Sequence, residues 1–287
     1  MNYGDLPDQY SALGSSKIVI LPVPYDATST WGKGADNGPQ AIIEASQNLE
    51  IYDIETDSEV HLLGIHTAEP LKTSDDPEKM SNEVYKEVKK LLNRNKFTVT
   101  LGGEHSVSIG AIKAHAEKFE DLTIIQIDAH ADLRDEYMGS KYNHACVMAR
   151  AREMATCIQI GIRSMSVEES FVIEPARIFL ARDINDNETW KYDMLSTLSN
   201  NVYITFDLDA LDPSIMPSTG TPEPGGLLWY QTIEILRRIS EKANIVGFDI
   251  VELAPNPIDK APDFLAAKLI FKLLTYKFVD EIPKNQK

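Results

Sequence analysis

Cysteine is nearly absent: Cys146 and Cys157 are the only two in 287 residues. They are too few and too isolated for a disulfide framework or a Cys-rich zinc module, so both are expected to be reduced thiols. No run of about 18 apolar residues occurs, which excludes a helix that spans a bilayer. Residues 1–14 hold Asp5 and Asp8 but neither Lys nor Arg, so the basic start of a secretory signal is missing and a cytoplasmic location is expected. Positive charge is scarce throughout, with 28 Lys and Arg against 44 Asp and Glu and a formal net charge of −16. A surface that negative repels phosphate backbones, which argues against nucleic-acid and anionic-membrane partners and leans toward a cationic one. Internal repeats, low-complexity tracts and long linkers are also lacking.

What is present is an ordinary globular balance, 43% hydrophobic and 25% charged, laid out as short apolar runs alternating with amphipathic stretches. Strands are expected at Ile18–Val23, Leu62–Ile65, Phe97–Leu101, Leu122–Ile127, Cys157–Ile160, Ile178–Leu180, Val202–Phe206 and Ile245–Phe248. Consecutive β-branched residues such as Ile124-Ile125 and Ile245-Val246 are how strands buried on both faces read. Between them lie helical stripes. Asp76-Pro77 is a cap followed by proline at the first helical position, and Met80, Val84, Val88 and Leu91 repeat at helical spacing. Leu265, Leu269 and Leu273 make a second stripe after Pro262 and Asp263. Strands alternating with helices imply an α/β fold, expected as a three-layer α/β/α single domain over residues 1–287 with a central, mostly parallel sheet of about eight strands.

Parallel sheets carry their ligand sites at the carboxyl ends of the strands. Three of those ends are loaded here. Gly102-Gly103-Glu104-His105-Ser106 follows one run, Asp128-Ala129-His130-Ala131-Asp132 a second, and Asp207-Leu208-Asp209-Ala210-Leu211-Asp212 a third. In extended chain Asp128, His130 and Asp132 project to one side, as do Asp207 and Asp209. The glycines allow a tight turn that returns His105 to the sheet edge. One Asp-x-His-x-Asp is a modest signal, since acids also gather in solvated loops, and a lone histidine is more often structural. Three such ends on one face of a sheet are not explained that way. His61, His66 and His115 lack this context and read as surface or core residues.

Four carboxylates converging in a partly dry crevice would raise one another's pKa values, and no Lys or Arg lies inside these clusters. Bound cations resolve the repulsion. Hard oxygens mixed with imidazole suit Mn²⁺ and also fit Fe²⁺, Co²⁺ or Zn²⁺. Six donors exceed the three protein ligands usual for one catalytic zinc, so two ions sharing carboxylates fit better.

GGEHS at 102–106, DAHADLR at 128–134 and TFDLDALDP at 205–213 resemble the signatures of the ureohydrolase (arginase and agmatinase) family. TGTPEPGG at 219–226 and GFDIVELAP at 247–255 extend the likeness, and Tyr25 to Pro39 resembles the family's N-terminal loop. The resemblance implies a binuclear Mn²⁺ centre with His105 on one ion and His130 on the other, Asp128 and Asp207 bridging, and Asp132 and Asp209 completing the two shells. Guanidinium is resonance-stabilised, so its hydrolysis needs a strong nucleophile, which paired metal ions supply by acidifying a water between them. Asp132 would orient that nucleophile. By the same resemblance Glu252 grips the guanidinium plane, His144 carries a proton to the departing amine, and Thr221 offers a substrate-facing hydroxyl. The family often has Ser before the histidine, where this chain has Asn143. Trimers or hexamers of identical subunits are implied as well.

For the substrate tail, the Asn-rich loop and the acidic residues of arginases are missing: Leu133-Arg134-Asp135-Glu136-Tyr137 follows the first cluster, and Gly161-Ile162-Arg163 is followed by Ser164 and Ser166. DLRDEY is similar to the agmatinase branch, and Asp135, Glu136 and the overall charge suit a cationic tail. Agmatine hydrolysis to urea and putrescine, a step of polyamine biosynthesis, is therefore the leading expectation. Aminopropylagmatine, guanidinobutyrate and arginine are alternatives, and a metal-dependent acetylpolyamine deacetylase is a more distant one.

Overall fold

The computed structural model describes residues 1–186 and 189–283. Among them the apolar runs pair into one sheet: β1 (Ile18–Val23), β2 (Ile65–Thr67), β3 (Phe97–Gly102), β4 (Leu122–Ile127), β5 (Thr156–Ile162), β6 (Ile178–Leu180), β7 (Asn201–Asp207) and β8 (Asn244–Val251). The order is β2-β1-β3-β8-β7-β4-β5-β6, and every neighbouring pair is parallel.

Two strands depart from expectation. The run at Leu62–Ile65 divides, because Val60–Leu63 winds into a 3-10 turn that packs Val60 inward and the strand begins only at Ile65. Gly64 joins them at φ +76, and a Cβ there would lie 2.6 Å from Ser16 Cα, so only glycine suits this junction. Strand β8 runs three residues further than Phe248, which draws Asp249 into the sheet interior.

Parallel pairing demands crossover connections, and helices supply them. Pro77–Leu92 leads from β2 to β3, Val107–Lys118 from β3 to β4 and Trp229–Lys242 from β7 to β8, while Ala261–Phe278 follows β8. Asp76 Oδ1 accepts from the Lys79 N–H at 2.9 Å, capping the first of these helices where its sequence indicates. Strand alternation then splits the core in two. Ile18 and Ile20 pack with Ile235 and Leu269 on one face, whereas Leu21 and Val23 pack with Val84 and Ile112 on the other. Helices on both faces of one sheet give the three-layer α/β/α architecture. Its four central strands, β3, β8, β7 and β4, end along one edge.

Candidate active site

The chain leaving β3 is held by backbone stitching. Gly103 N–H donates to Val23 O at 2.9 Å, Glu104 N–H to Tyr25 O at 2.8 Å, and Glu252 N–H to Gly103 O at 2.8 Å. A Cβ on Gly103 would stand 1.9 Å from the Tyr25 carbonyl oxygen. Glycine is required here for close backbone approach; Gly102 and Gly103 do not take the positive φ that a tight turn through them would need. The stitched loop delivers His105 to the sheet edge between the ends of β4 and β7.

There His105 Nδ1 lies 3.0 Å from Asp132 Oδ2, 3.2 Å from Asp128 Oδ2 and 3.4 Å from Asp207 Oδ2. His130 Nδ1 lies 2.9 Å from Asp209 Oδ2 and 3.7 Å from Asp128 Oδ1. Two donor sets result, His105-Asp128-Asp132 and His130-Asp128-Asp209, each with ligand atoms within 4.8 Å of one another and with Asp128 common to both. Asp128, His130 and Asp132 do not achieve this from extended chain. β4 ends at Ile127, Asp128 Oδ1 accepts from His130 N–H at 2.6 Å, and Asp132 sits at φ +52.

His105 tests whether a cation belongs here. Its Nε2 lies 2.8 Å from Thr205 Oγ1, and Thr205 donates its one hydroxyl hydrogen to Asp249 Oδ1 at 2.7 Å. Nε2 must therefore carry the ring hydrogen, which leaves Nδ1 with a lone pair. That buried Nδ1 has no hydrogen-bond partner although three carboxylates surround it. A lone pair aimed at three anions is an arrangement that a cation relieves, and the mixed oxygen and imidazole donors fit a divalent ion.

Protons in this cluster follow the same logic. Burial lowers the affinity of His105 for a proton, but the nearby carboxylates of Asp128, Asp132 and Asp207 override it, so that in place of a metal ion they hold the imidazole well above its usual range. Burial opposes the charge on His130 too, and Asp209 and Asp128 nevertheless raise it to about 11. Burial, with Asp209 and Asp132 nearby, pushes Asp128 up to about 7. Asp209 is drawn down against its burial by His130. The site thus attracts positive charge onto its own imidazoles.

Glu252 follows β8 directly, at φ +67. This is a costly conformation for glutamate and one that clusters at functional sites. Its Oε1 accepts from the His105 N–H at 2.7 Å, and burial beside Glu104 raises its carboxyl well above the usual range. Together with His105, His130, Asp132, His144, Asp207, Asp209 and Thr221, it lines a cleft of about 280 Å³. Thr221 Oγ1 reaches Asp209 Oδ2 at 3.5 Å.

Residues 16–275 match the model of the arginase family. A relative from Synechocystis sp. named N(1)-aminopropylagmatine ureohydrolase is 38% identical over 93% of this chain and 90% of its own. A Pyrococcus horikoshii protein named agmatinase is 36% identical over 89% and 90%. The crystal structure of the agmatine ureohydrolase of Thermoplasma volcanium superposes with a TM-score of 0.87 at 33% identity, covering 97% of this chain and 96% of that one. The chain belongs to the arginase family.

In this arginase-family chain eight of the residues singled out from the sequence line one cleft, His105, His130, Asp132, His144, Asp207, Asp209, Thr221 and Glu252, and the ninth, Asp128, is buried against His105 and His130. Asp135 and Glu136 do not join them. Asp135 is held by Arg150 at 2.6 Å and Lys141 at 3.0 Å, so its charge is already answered. An acid that the sequence did not single out does line the cleft: Glu169, whose buried carboxylate accepts from Leu133 N–H at 2.9 Å and Ser166 N–H at 2.7 Å. The Ser166-x-x-Glu169 capping box was the signal that could have placed it. Asn143 caps the turn at His144 by accepting from Ala145 N–H at 3.1 Å, which accounts for its presence beside the histidine.

Proposed function

We propose that this ureohydrolase, a hydrolase acting on guanidino groups, takes agmatine and releases urea and putrescine. The observation that carries the reading is that the cleft offers no cation for an α-carboxylate. Beyond the candidate metal ligands its acids are Glu169 and Glu252, and the one Lys or Arg among the described lining residues is Arg134. That guanidinium stacks on the Tyr137 ring at 4.5 Å, with Nε 3.8 Å from Glu169 Oε2. Such a lining attracts a guanidine with a cationic tail and disfavours the α-carboxylate of arginine.

His105, Asp128, His130, Asp132, Asp207 and Asp209 would hold two Mn²⁺ ions. When bound, such ions supply Lewis-acid activation of the attacking water at neutral pH. The other steps belong to side chains of this chain. Glu252 receives the guanidinium N–H donors on its carboxylate and fixes the plane of the group. Asp132 accepts a hydrogen bond from the nucleophile and aims it at the central carbon. Thr221 donates to or accepts from the bound guanidino group at the cleft wall. His144 gives the departing amine its proton, a role imidazole suits at neutral pH. We further propose one catalytic domain over residues 1–287, a cytoplasmic homo-oligomer (trimer or hexamer) and a place in polyamine biosynthesis.

A second reading is N(1)-aminopropylagmatine, favoured by the name of the Synechocystis relative and by Glu223, a half-exposed carboxylate 3.9 Å from His130 Nε2 that adds negative charge beside the cleft. The test loads the chain with Mn²⁺ and measures urea from agmatine, N(1)-aminopropylagmatine, guanidinobutyrate and arginine, with acetylputrescine as a deacetylation control. Agmatine should exceed arginine in kcat/KM by at least ~100-fold, because a buried charged group without a partner costs about 3 kcal/mol or more and each 1.4 kcal/mol is about tenfold. Equal turnover of arginine would overturn the proposal, and a higher kcat/KM for N(1)-aminopropylagmatine would install the second reading.

A further inference from the structure

Thr28 lies on the loop between β1 and the helix Gly38–Ser46, far in sequence from the acidic clusters, yet a buried glutamate and a histidine of the cleft meet at its hydroxyl. Its Oγ1 is 2.8 Å from Glu104 Oε1, 3.0 Å from the backbone nitrogen of His144 and 3.3 Å from His144 Nδ1. Glu104 is fully buried, and donors surround it: Thr28 N–H at 3.2 Å, Ser106 N–H at 2.8 Å and Ser106 O–H at 2.9 Å, besides the Thr28 hydroxyl. A hydroxyl has a single hydrogen, and the shorter contact to a carboxylate claims it. Thr28 Oγ1 therefore faces His144 as an acceptor. It takes the backbone N–H and, at Nδ1, the ring hydrogen. The lone pair of the neutral ring is then on Nε2, and Nε2 is the nitrogen that gains and gives up the mobile proton. The ring of Tyr137 stands edge-on to the imidazole, with centroids 6.1 Å apart and planes at 85°.

We propose that Thr28, backed by Glu104, is a positioning residue for His144: it sets the rotation and the tautomer of the imidazole so that Nε2 serves the leaving amine. The inference rests on the reading of His144 as proton donor. Its reach is the protonation step, because the Thr28 hydroxyl contacts the ring and backbone of His144, whereas Glu252 is held by the His105 N–H.

The test compares Mn²⁺-loaded full-length wild type with Thr28→Val, Thr28→Ser, His144→Asn and the Thr28→Val/His144→Asn double variant, on whichever guanidino compound the panel ranks first. Valine keeps the shape of threonine and loses the acceptor. Thr28→Val should lower kcat by about 10–100-fold, part of the full general-acid contribution, with KM within about twofold. Thr28→Ser should restore most of the loss. In the His144→Asn background Thr28→Val should add almost nothing, since groups acting in series are not additive. An unchanged kcat in Thr28→Val beside a lowered one in His144→Asn overturns the inference and leaves the His144 reading standing. Equal losses from Thr28→Val in both backgrounds also overturn it. Undiminished turnover in His144→Asn brings down the His144 reading and the inference with it. Should Thr28→Val not fold, the long-range 1H–15N spectrum of metal-free wild type decides, with the His144 signals identified by their loss in His144→Asn. Protonation at Nδ1 supports the inference and protonation at Nε2 overturns it.

Discussion

His105 cannot turn its ring without breaking a chain of buried partners. Nε2–H donates to Thr205, Thr205 donates to Asp249, and Asp249 also accepts from Tyr203 O–H at 2.7 Å. Thr205 and Asp249 are register partners across β7 and β8, which is why the pair is invisible in sequence: 44 residues separate them until the strands align. The six candidate ligands were legible because each follows an apolar run within one short cluster. The residues around them were not: Thr205 and Asp249 behind His105, Thr28 beside His144 and Glu169 in the cleft wall act through contacts that only pairing and loop closure create. Replacing Thr205 by valine leaves the His105 ring hydrogen unanswered and its tautomer unselected. Loss of such an outer partner typically costs 10–100-fold in metal affinity. Mn²⁺ titration by calorimetry should therefore show a dissociation constant weakened by about that factor in Thr205→Val, with Thr205→Ser near wild type. An unchanged constant would mean that the chain from Asp249 does not govern the ligand.

Among the elements, the helix Val107–Lys118 shows how packing replaces function as the reason for a histidine. His115 reads from sequence as a surface or core residue, and the structure places it in the core. It is buried, with Nδ1–H donating to Ala111 O at 2.8 Å and Nε2 lying 3.2 Å from Thr98 Oγ1. Its ring settles against Gly247 of β8, where a Cβ would meet Nε2 at 2.2 Å, so the helix approaches the sheet only over a glycine. Burial lowers the His115 pKa from 6.5 to about 4. The unfolded chain consequently takes up a proton near pH 6.5 that the folded chain refuses until about pH 4. Stability tied to neutral His115 is present above pH 6.5 and is lost as pH falls through that window, by an amount on the order of 3 kcal/mol. Urea unfolding across the window should give a shallower pH dependence in His115→Gln than in wild type. Parallel slopes would show that His115 titrates normally in the folded state. Element positions were largely legible because β-branched runs mark parallel strands. The division at Gly64 and the extension of β8 were not, since both depend on which neighbour the chain meets.

At the scale of the whole molecule, the net charge of −16 and the acid-lined cleft act on a substrate before any contact is made. A dication approaching a negative surface is concentrated near it, and a zwitterion of similar length is not. Salt separates the two cases, because the screening length shrinks from roughly 30 Å at 0.01 M to about 8 Å at 0.15 M ionic strength. For agmatine, kcat/KM should fall several-fold over that range with the loss mainly in KM, because the chemistry occurs inside the screened cleft. For guanidinobutyrate, whose tail is anionic, the same titration should leave kcat/KM nearly flat or raise it slightly. Steady-state urea release at fixed Mn²⁺, with ionic strength varied by a salt that does not compete for the metal, makes the comparison. If both substrates responded alike, the field of the molecule would play no part in choosing its substrate, and selection would rest wholly on contacts such as those at Glu169 and Glu252.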